Sequence, residues 1–161
     1  MEQEIQDVSI KRIQEALPLL KGIENDLIID YTEYSMPNDK HPIHRYPIRF
    51  DGLYIGLREK GEARFSINLK EFNVGSNDLV ICSPGDLVQA SLQDGIHLVQ
   101  SMMVSSHFLK EMYISLNSFM PFFASQKEHP VFHLTDSEMA ELKNYFMLIK
   151  ENVTSDDYFR V

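Results

Sequence analysis

The chain has 161 residues, 43% of them hydrophobic and 11% aromatic, which is enough for one domain with its own core and too apolar for a disordered chain. Lys and Arg total 15 against 24 Asp and Glu, giving a net charge of -9, so these residues offer no basic face for nucleic acid or an anionic membrane. The single cysteine, Cys82, excludes an internal disulfide and points to a reducing compartment, the cytoplasm.

The N-terminus, MEQEIQD, has neither the basic start nor the apolar run of a signal peptide. No apolar run approaches the about 18 residues needed to span a bilayer. Ile10, Ile13, Leu17 and Leu20 recur at helical spacing, predicting a helix within Ile5 to Leu20 that Asp7 or Ser9 caps and Pro18 ends or kinks. Residues 1–25 are therefore expected to form a helical arm packed on the main domain.

From Asp26 the hydrophobic period becomes two. Leu27–Tyr34 is β-branched and aromatic and predicts a first strand. Pro37, Pro42 and Pro47 mark Ser35 to Pro47 as a loop. Alternation then predicts strands over Ile48–Lys60, Ala63–Leu69, Phe72–Val74, Leu79–Cys82, Leu87–Leu92 and Ile96–Ser105, separated by Gly, Asn, Asp and Pro turns. Ile96–Ser105 carries apolar residues in both alternating sets, so both its faces are expected to be covered. Many short strands at regular spacing favour a closed barrel or a two-sheet jelly roll over residues 26–106.

Helical spacing returns after Ser106. Ser105 or Ser106 caps a helix through Phe108, Leu109, Met112 and Leu116. An aromatic loop follows with Phe119, Phe122 and Phe123, then a short strand within His129–Leu134. Thr135 and Glu138 form a capping box for a last helix over Asp136 to Asn152. In it Met139, Leu142, Phe146, Ile149 and Val153 make an a/d stripe, the seam one helix offers another. Ala140, Tyr145, Met147 and Leu148 widen the apolar arc beyond what one barrel covers. A homodimer through this helix, within a helical region 107–161, is the expectation.

Catalytic signatures are missing. The His41/His44 and His129/His133 pairs fall outside predicted helices, where such spacing would converge two ligands, so no metal and no cofactor are expected. Cys82 sits in an apolar strand and reads as a small core residue. There is no G-x-S-x-G elbow, P-loop or G-x-G-x-x-G run. The chemistry that remains is polar residues embedded in strands. Tyr54 and Arg58 share a strand face with Gly56 between them, and Gln100 interrupts an apolar set. Inside a barrel these three would line a small-molecule site, with Arg58 suited to a carboxylate or phosphate. The alternative is that Tyr54 and Arg58 face solvent and Gln100 bonds a neighbouring backbone, since sequence does not fix sheet parity.

The run Tyr54-Ile55-Gly56-Leu57-Arg58-Glu59-Lys60-Gly61-Glu62-Ala63-Arg64-Phe65-Ser66-Ile67-Asn68, with Phe72-Asn73-Val74-Gly75 and Asp78-Leu79-Val80-Ile81-Cys82-Ser83-Pro84-Gly85, resembles the N-terminal domain of AraC-type transcription regulators. The likeness continues through Ser106-His107-Phe108-Leu109 and His129-Pro130-Val131-Phe132-His133-Leu134, covering about Asp26 to Asn152. It implies a cupin-like double-stranded β-helix, mainly β with α, followed by C-terminal helices. It also implies a small-molecule effector such as a sugar or organic acid, and dimerisation through helices after the barrel. Arg58-Glu59-Lys60 replaces the H-x-H segment of metal-binding cupins, and Asp86 to Gln89 after Pro84-Gly85 lack their second-motif His. The expected role is a non-enzymatic effector-binding domain; the alternative is a small cupin enzyme acting on a sugar or small metabolite. The helix-turn-helix DNA-binding domain of such regulators is not in this sequence, so full-length protein is expected to bind DNA and these residues alone are not.

Overall fold

The computed structural model describes residues 5–16, 21–23, 26–35, 47–111 and 128–154. The expected loop over 36–46, the helical positions Leu17, Leu20, Met112 and Leu116, and the aromatic loop with Phe119, Phe122 and Phe123 lie outside these residues. The strands are β1 (Gln6–Val8), β2 (Lys21–Ile23), β3 (Leu27–Ser35), β4 (Ile48–Phe50), β5 (Gly52–Lys60), β6 (Ala63–Ile67), β7 (Lys70–Val74), β8 (Asp78–Cys82), β9 (Leu87–Leu92), β10 (Ile96–Ser105) and β11 (Val131–His133). The helices are α1 (Ile10–Ala16), α2 (Ser106–Glu111) and α3 (Asp136–Thr154).

The strands form two sheets, ordered β1-β4-β9-β6-β7 and β11-β8-β5-β10-β3-β2. Strands β3 to β10 pair in a nested way. β6 pairs with β7, β5 with β8, β4 with β9 and β3 with β10, all antiparallel. This is one long antiparallel ribbon whose tip is the β6–β7 hairpin. The ribbon is wound so that β10 meets β5 and β9 meets β6, again antiparallel. That winding is a jelly roll, the cupin-like double-stranded β-helix. The β4–β5 boundary shows why Ile48–Lys60 is not a single strand: the chain leaves one sheet at Phe50 and joins the other at Gly52.

Side-chain parity separates two cores. Facing inward between the sheets are Phe65, Val74, Val80, Cys82 and Val88, all buried. On the outside of the larger sheet, Leu27, Ile29, Leu57 and Val104 pack against α3. Both faces of β10 are covered as expected, Met103 within the barrel and Val104 beneath the helix.

Two elements depart from the sequence expectation. The arm begins with a strand, β1, which pairs parallel to β4. Helix α1 is short and is capped by Ser9, whose hydroxyl accepts the Arg12 N–H at 3.2 Å. Its Ile10 and Ile13 are fully buried against the inward-facing Ile28, Phe50 and Met103. The arm is therefore part of the core and packs into one end of the barrel. The second departure is the a/d stripe of α3. Met139, Phe146 and Val153 are each 5% exposed against the barrel, with Leu142 and Ile149 half-buried beside them. Met139, Phe146 and Val153 are thus already covered by their own barrel; periodicity identifies an apolar face without naming what covers it.

Candidate functional site

Strand β5 positions the candidate site. Tyr54, Gly56 and Arg58 alternate with Leu53, Ile55 and Leu57, and the leucine set lies under α3. The cross-strand partners of the first set are Cys82, Val80 and Asp78, of which Cys82 and Val80 belong to the interior core. Tyr54 and Arg58 therefore point into the barrel, as the ligand-lining expectation requires. Gln100 does not join them. It stands opposite Leu57 in the β5–β10 register and shares its face with Met102 and Val104. It lines an open outer groove of about 450 Å³ against Ala140, Lys143, Asn144, Met147 and Lys150 of α3. The correction follows from the period of two: Gln100 belongs to the helix-facing set of β10, and its neighbours Val99 and Ser101 to the inward set.

The residue that sequence reasoning passed over is His97, which is inward-facing and completely buried. Its Nδ1 lies 2.8 Å from Arg58 Nη1, and its Nε2 lies 2.7 Å from the Gln93 carbonyl oxygen. A carbonyl only accepts, so Nε2 carries the proton and Nδ1 accepts from the guanidinium. Gly61 makes room for this ring. A Cβ there would stand 2.4 Å from His97 Nδ1, and the residue has φ +92°. The sequence signal available was parity, since His97, Val99, Ser101 and Met103 form one alternating set. Using it needed the register against β5, which shifts at Leu98/Val99.

Gly56 has a comparable part. A Cβ on it would lie 2.6 Å from the Tyr54 hydroxyl, so the phenol is laid along the inner wall over Gly56. Tyr54 packs against both interior clusters and so links the α1 end of the barrel to its middle.

At the rim, Asp78 Oδ1 accepts from His133 Nδ1 at 2.5 Å, and Oδ2 accepts the Gly75 N–H at 2.7 Å. This ties β11 and the β7–β8 turn together. Asp86 is equally committed: its oxygens accept from Ser83 N at 2.8 Å and Asn68 Nδ2 at 3.0 Å. Burial, with a smaller contribution from nearby Asp86, pushes the Cys82 thiol far above its ordinary range, so it is a packed core residue and not a nucleophile at neutral pH. Among the described residues no three His, Cys, Asp or Glu side chains come together as a metal ion would require. His129 is exposed, His133 is given to Asp78, and His41 and His44 lie outside the described residues. Among the described residues no helix is long and apolar enough to cross a membrane.

The molecule is thus a cupin-like jelly roll with an apolar interior, in which Arg58 and His97 are the polar exceptions on the β5–β10 wall, and a helix laid across its larger sheet. No family model and no curated protein matches the sequence. Solved structures similar to it include ToxT from Vibrio cholerae with an unsaturated fatty acid bound, at a TM-score of 0.49 and 11% identity, covering 84% of this chain and 50% of that one. A cupin 2 conserved barrel domain protein from Leptotrichia buccalis has a TM-score of 0.43 and 11% identity, covering 52% of this chain and 38% of that one. A cupin superfamily protein from Desulfitobacterium hafniense has a TM-score of 0.39 and 12% identity, covering 55% and 75%. The chain thus spans half the length of the ToxT chain.

Proposed function

We propose that this chain is the effector-binding and dimerisation region of an AraC-type transcription regulator, a sensor rather than a catalyst. The observation that carries the reading is the inner wall of β5, where Tyr54 and a 4% exposed Arg58 face the barrel interior. Polar groups placed on an otherwise apolar inner surface orient a bound small molecule. The sequence resemblance over Asp26 to Asn152 supports the regulator assignment, and the order of barrel, α2, β11 and capped α3 agrees with it. In this reading the protein works in the cytoplasm, and DNA is gripped by a helix-turn-helix domain outside these acidic residues. Dimerisation uses the outward face of α3, where Tyr145 and Leu148 are 51% and 54% exposed, rather than the stripe buried on the barrel.

A thermal-shift screen of sugars, sugar acids and aromatic acids tests the reading, because a ligand that binds only the native state raises its stability, by about 2.7 kcal/mol at a hundredfold excess over Kd. At least one compound is expected to raise the melting temperature. A screen with no response, together with stoichiometric metal in protein purified without chelator, would favour the small cupin enzyme instead.

A further inference from the structure

Arg58 has surroundings that packing alone does not explain. Its side chain is 4% exposed on the inner face of β5, its Nη1 bonds a neutral imidazole, His97, and its remaining nitrogens keep some contact with solvent, since among the described residues no fully buried side-chain nitrogen lacks a partner. No carboxylate oxygen of the described residues lies within 4.0 Å of it, and the ion pairs among those residues lie elsewhere. Its cross-strand neighbour Asp78 has committed one oxygen to Gly75 and the other to His133. A buried charge without a counter-charge is one of the costliest features a fold can retain. In a domain with 24 acidic residues, pairing one with Arg58 would have been the simplest remedy.

Among the described residues no carboxylate supplies the counter-charge, and the donors are already oriented. The Nη1–His97 bond fixes the plane of the guanidinium, and one bond leaves most of its five donors free. Such a fork matches a carboxylate bidentately. The walls around it are apolar. Val80 and Cys82 on β8, Val99 on β10 and the ring of Tyr54 share the inner face of the sheet. A sugar needs many polar partners, whereas this arrangement offers one charged anchor and a hydrophobic wall. We propose that Arg58, held by His97, anchors the carboxylate of a small organic acid with an apolar body, aromatic or short aliphatic. The Tyr54 ring over bare Gly56 is the nearest wall for that body. This proposal rests on the effector-domain reading and names its ligand class.

The test measures melting temperature with benzoate, hexanoate, their neutral amides and a neutral sugar, on wild type, Arg58→Met, His97→Gln and His97→Leu. Wild type is expected to respond to the carboxylates and not to the amides. Arg58→Met, which removes an unpaired buried charge and keeps its bulk, is expected to melt higher than wild type without ligand and to lose the carboxylate response. His97→Gln, which keeps an acceptor for Nη1, retains the response, and His97→Leu loses most of it. Arg58→Met melting at or below wild type would mark Arg58 as a structural residue and overturn the anchor, whatever the ligands do. Carboxylates that shift wild type and Arg58→Met equally would overturn it too. A sugar that shifts both equally would overturn the anchor while leaving the effector-domain reading intact.

Discussion

Leu69 sits at the tip of the β6–β7 hairpin with φ 69°, beside Asn68 at φ 50°. Two consecutive positive φ values make a two-residue hairpin turn of the kind that favours Asn-Gly. Asn68 suits its place and uses its side chain as well: its Oδ1 accepts the Leu87 N–H and its Nδ2 donates to Asp86, both at 3.0 Å. Leu69 does not suit its place, being 85% exposed and strained by its Cβ. Leu69→Gly is expected to stabilise the protein by about 1 kcal/mol, since the left-handed conformation costs a residue with a Cβ roughly that much. Thermal melts of the two proteins check it; a loss of stability would mean that the Leu69 side chain makes a contact that matters. At this scale the sequence was informative where chemistry is local. The Thr135–Glu138 capping box formed as read, with Glu138 N–H to Thr135 Oγ1 at 3.1 Å and Thr135 N–H to Glu138 Oε1 at 3.0 Å. His97 was not legible, because its role depends on a partner 39 positions earlier in the chain.

Helix α3 divides into a face that holds the fold and a face left outside. Phe146 is 5% exposed in the core over β3, β5 and β10, and Leu148 stands outward. Phe146→Ala is expected to cost about 3–5 kcal/mol, the range for emptying a buried aromatic site. Leu148→Glu is expected to change stability by less than about 0.5 kcal/mol, as a surface substitution does, while shifting the solution mass from dimer to monomer. Light scattering with denaturant melts reads both; a Leu148→Glu protein that stays dimeric would remove α3 from the interface. The start of the same helix gives a pH dependence. Hydrogen bonds from the Thr135 backbone and side chain hold the Glu138 carboxyl below its ordinary value. A depressed carboxyl pKa stabilises the fold above the unfolded value and ceases to do so as pH falls through the folded one. The cap is therefore complete at neutral pH and fades below the ordinary glutamate range, about 4.3. Glu138→Gln is expected to flatten this part of the stability–pH curve between pH 3 and 6, read by denaturant melts across about that span. An unchanged curve would show that the cap makes no difference to stability. The helix was legible as an element and its apolar stripe as a stripe. Its partner was not, because a barrel face and a second helix make the same periodic demand.

For the whole molecule, the jelly roll was legible from short alternating strands broken by turns, and the resemblance gave their wound order. What stayed hidden was which alternating set faced inward. That is decided by register between distant strands, and one step reverses every side chain. Tyr54 and Arg58 turned inward and Gln100 outward, so the polar groups that sequence grouped together lie on opposite sides of one sheet. The N-terminal segment was read as a packed arm, yet Ile10 and Ile13 complete the interior that Ile28, Phe50 and Met103 leave open at one end. The central claim is that a small acid is held inside this interior, not in the groove beside α3. Hydrogen exchange with and without the acid giving the largest thermal shift tests it most directly. The account predicts slower exchange at the amides of β5, β8 and β10 around Arg58 and His97, with the exposed turns of α3 unchanged. Protection confined to α3 residues 140–150, with the β5 amides around Arg58 unaffected, would place the ligand in the outer groove and contradict it.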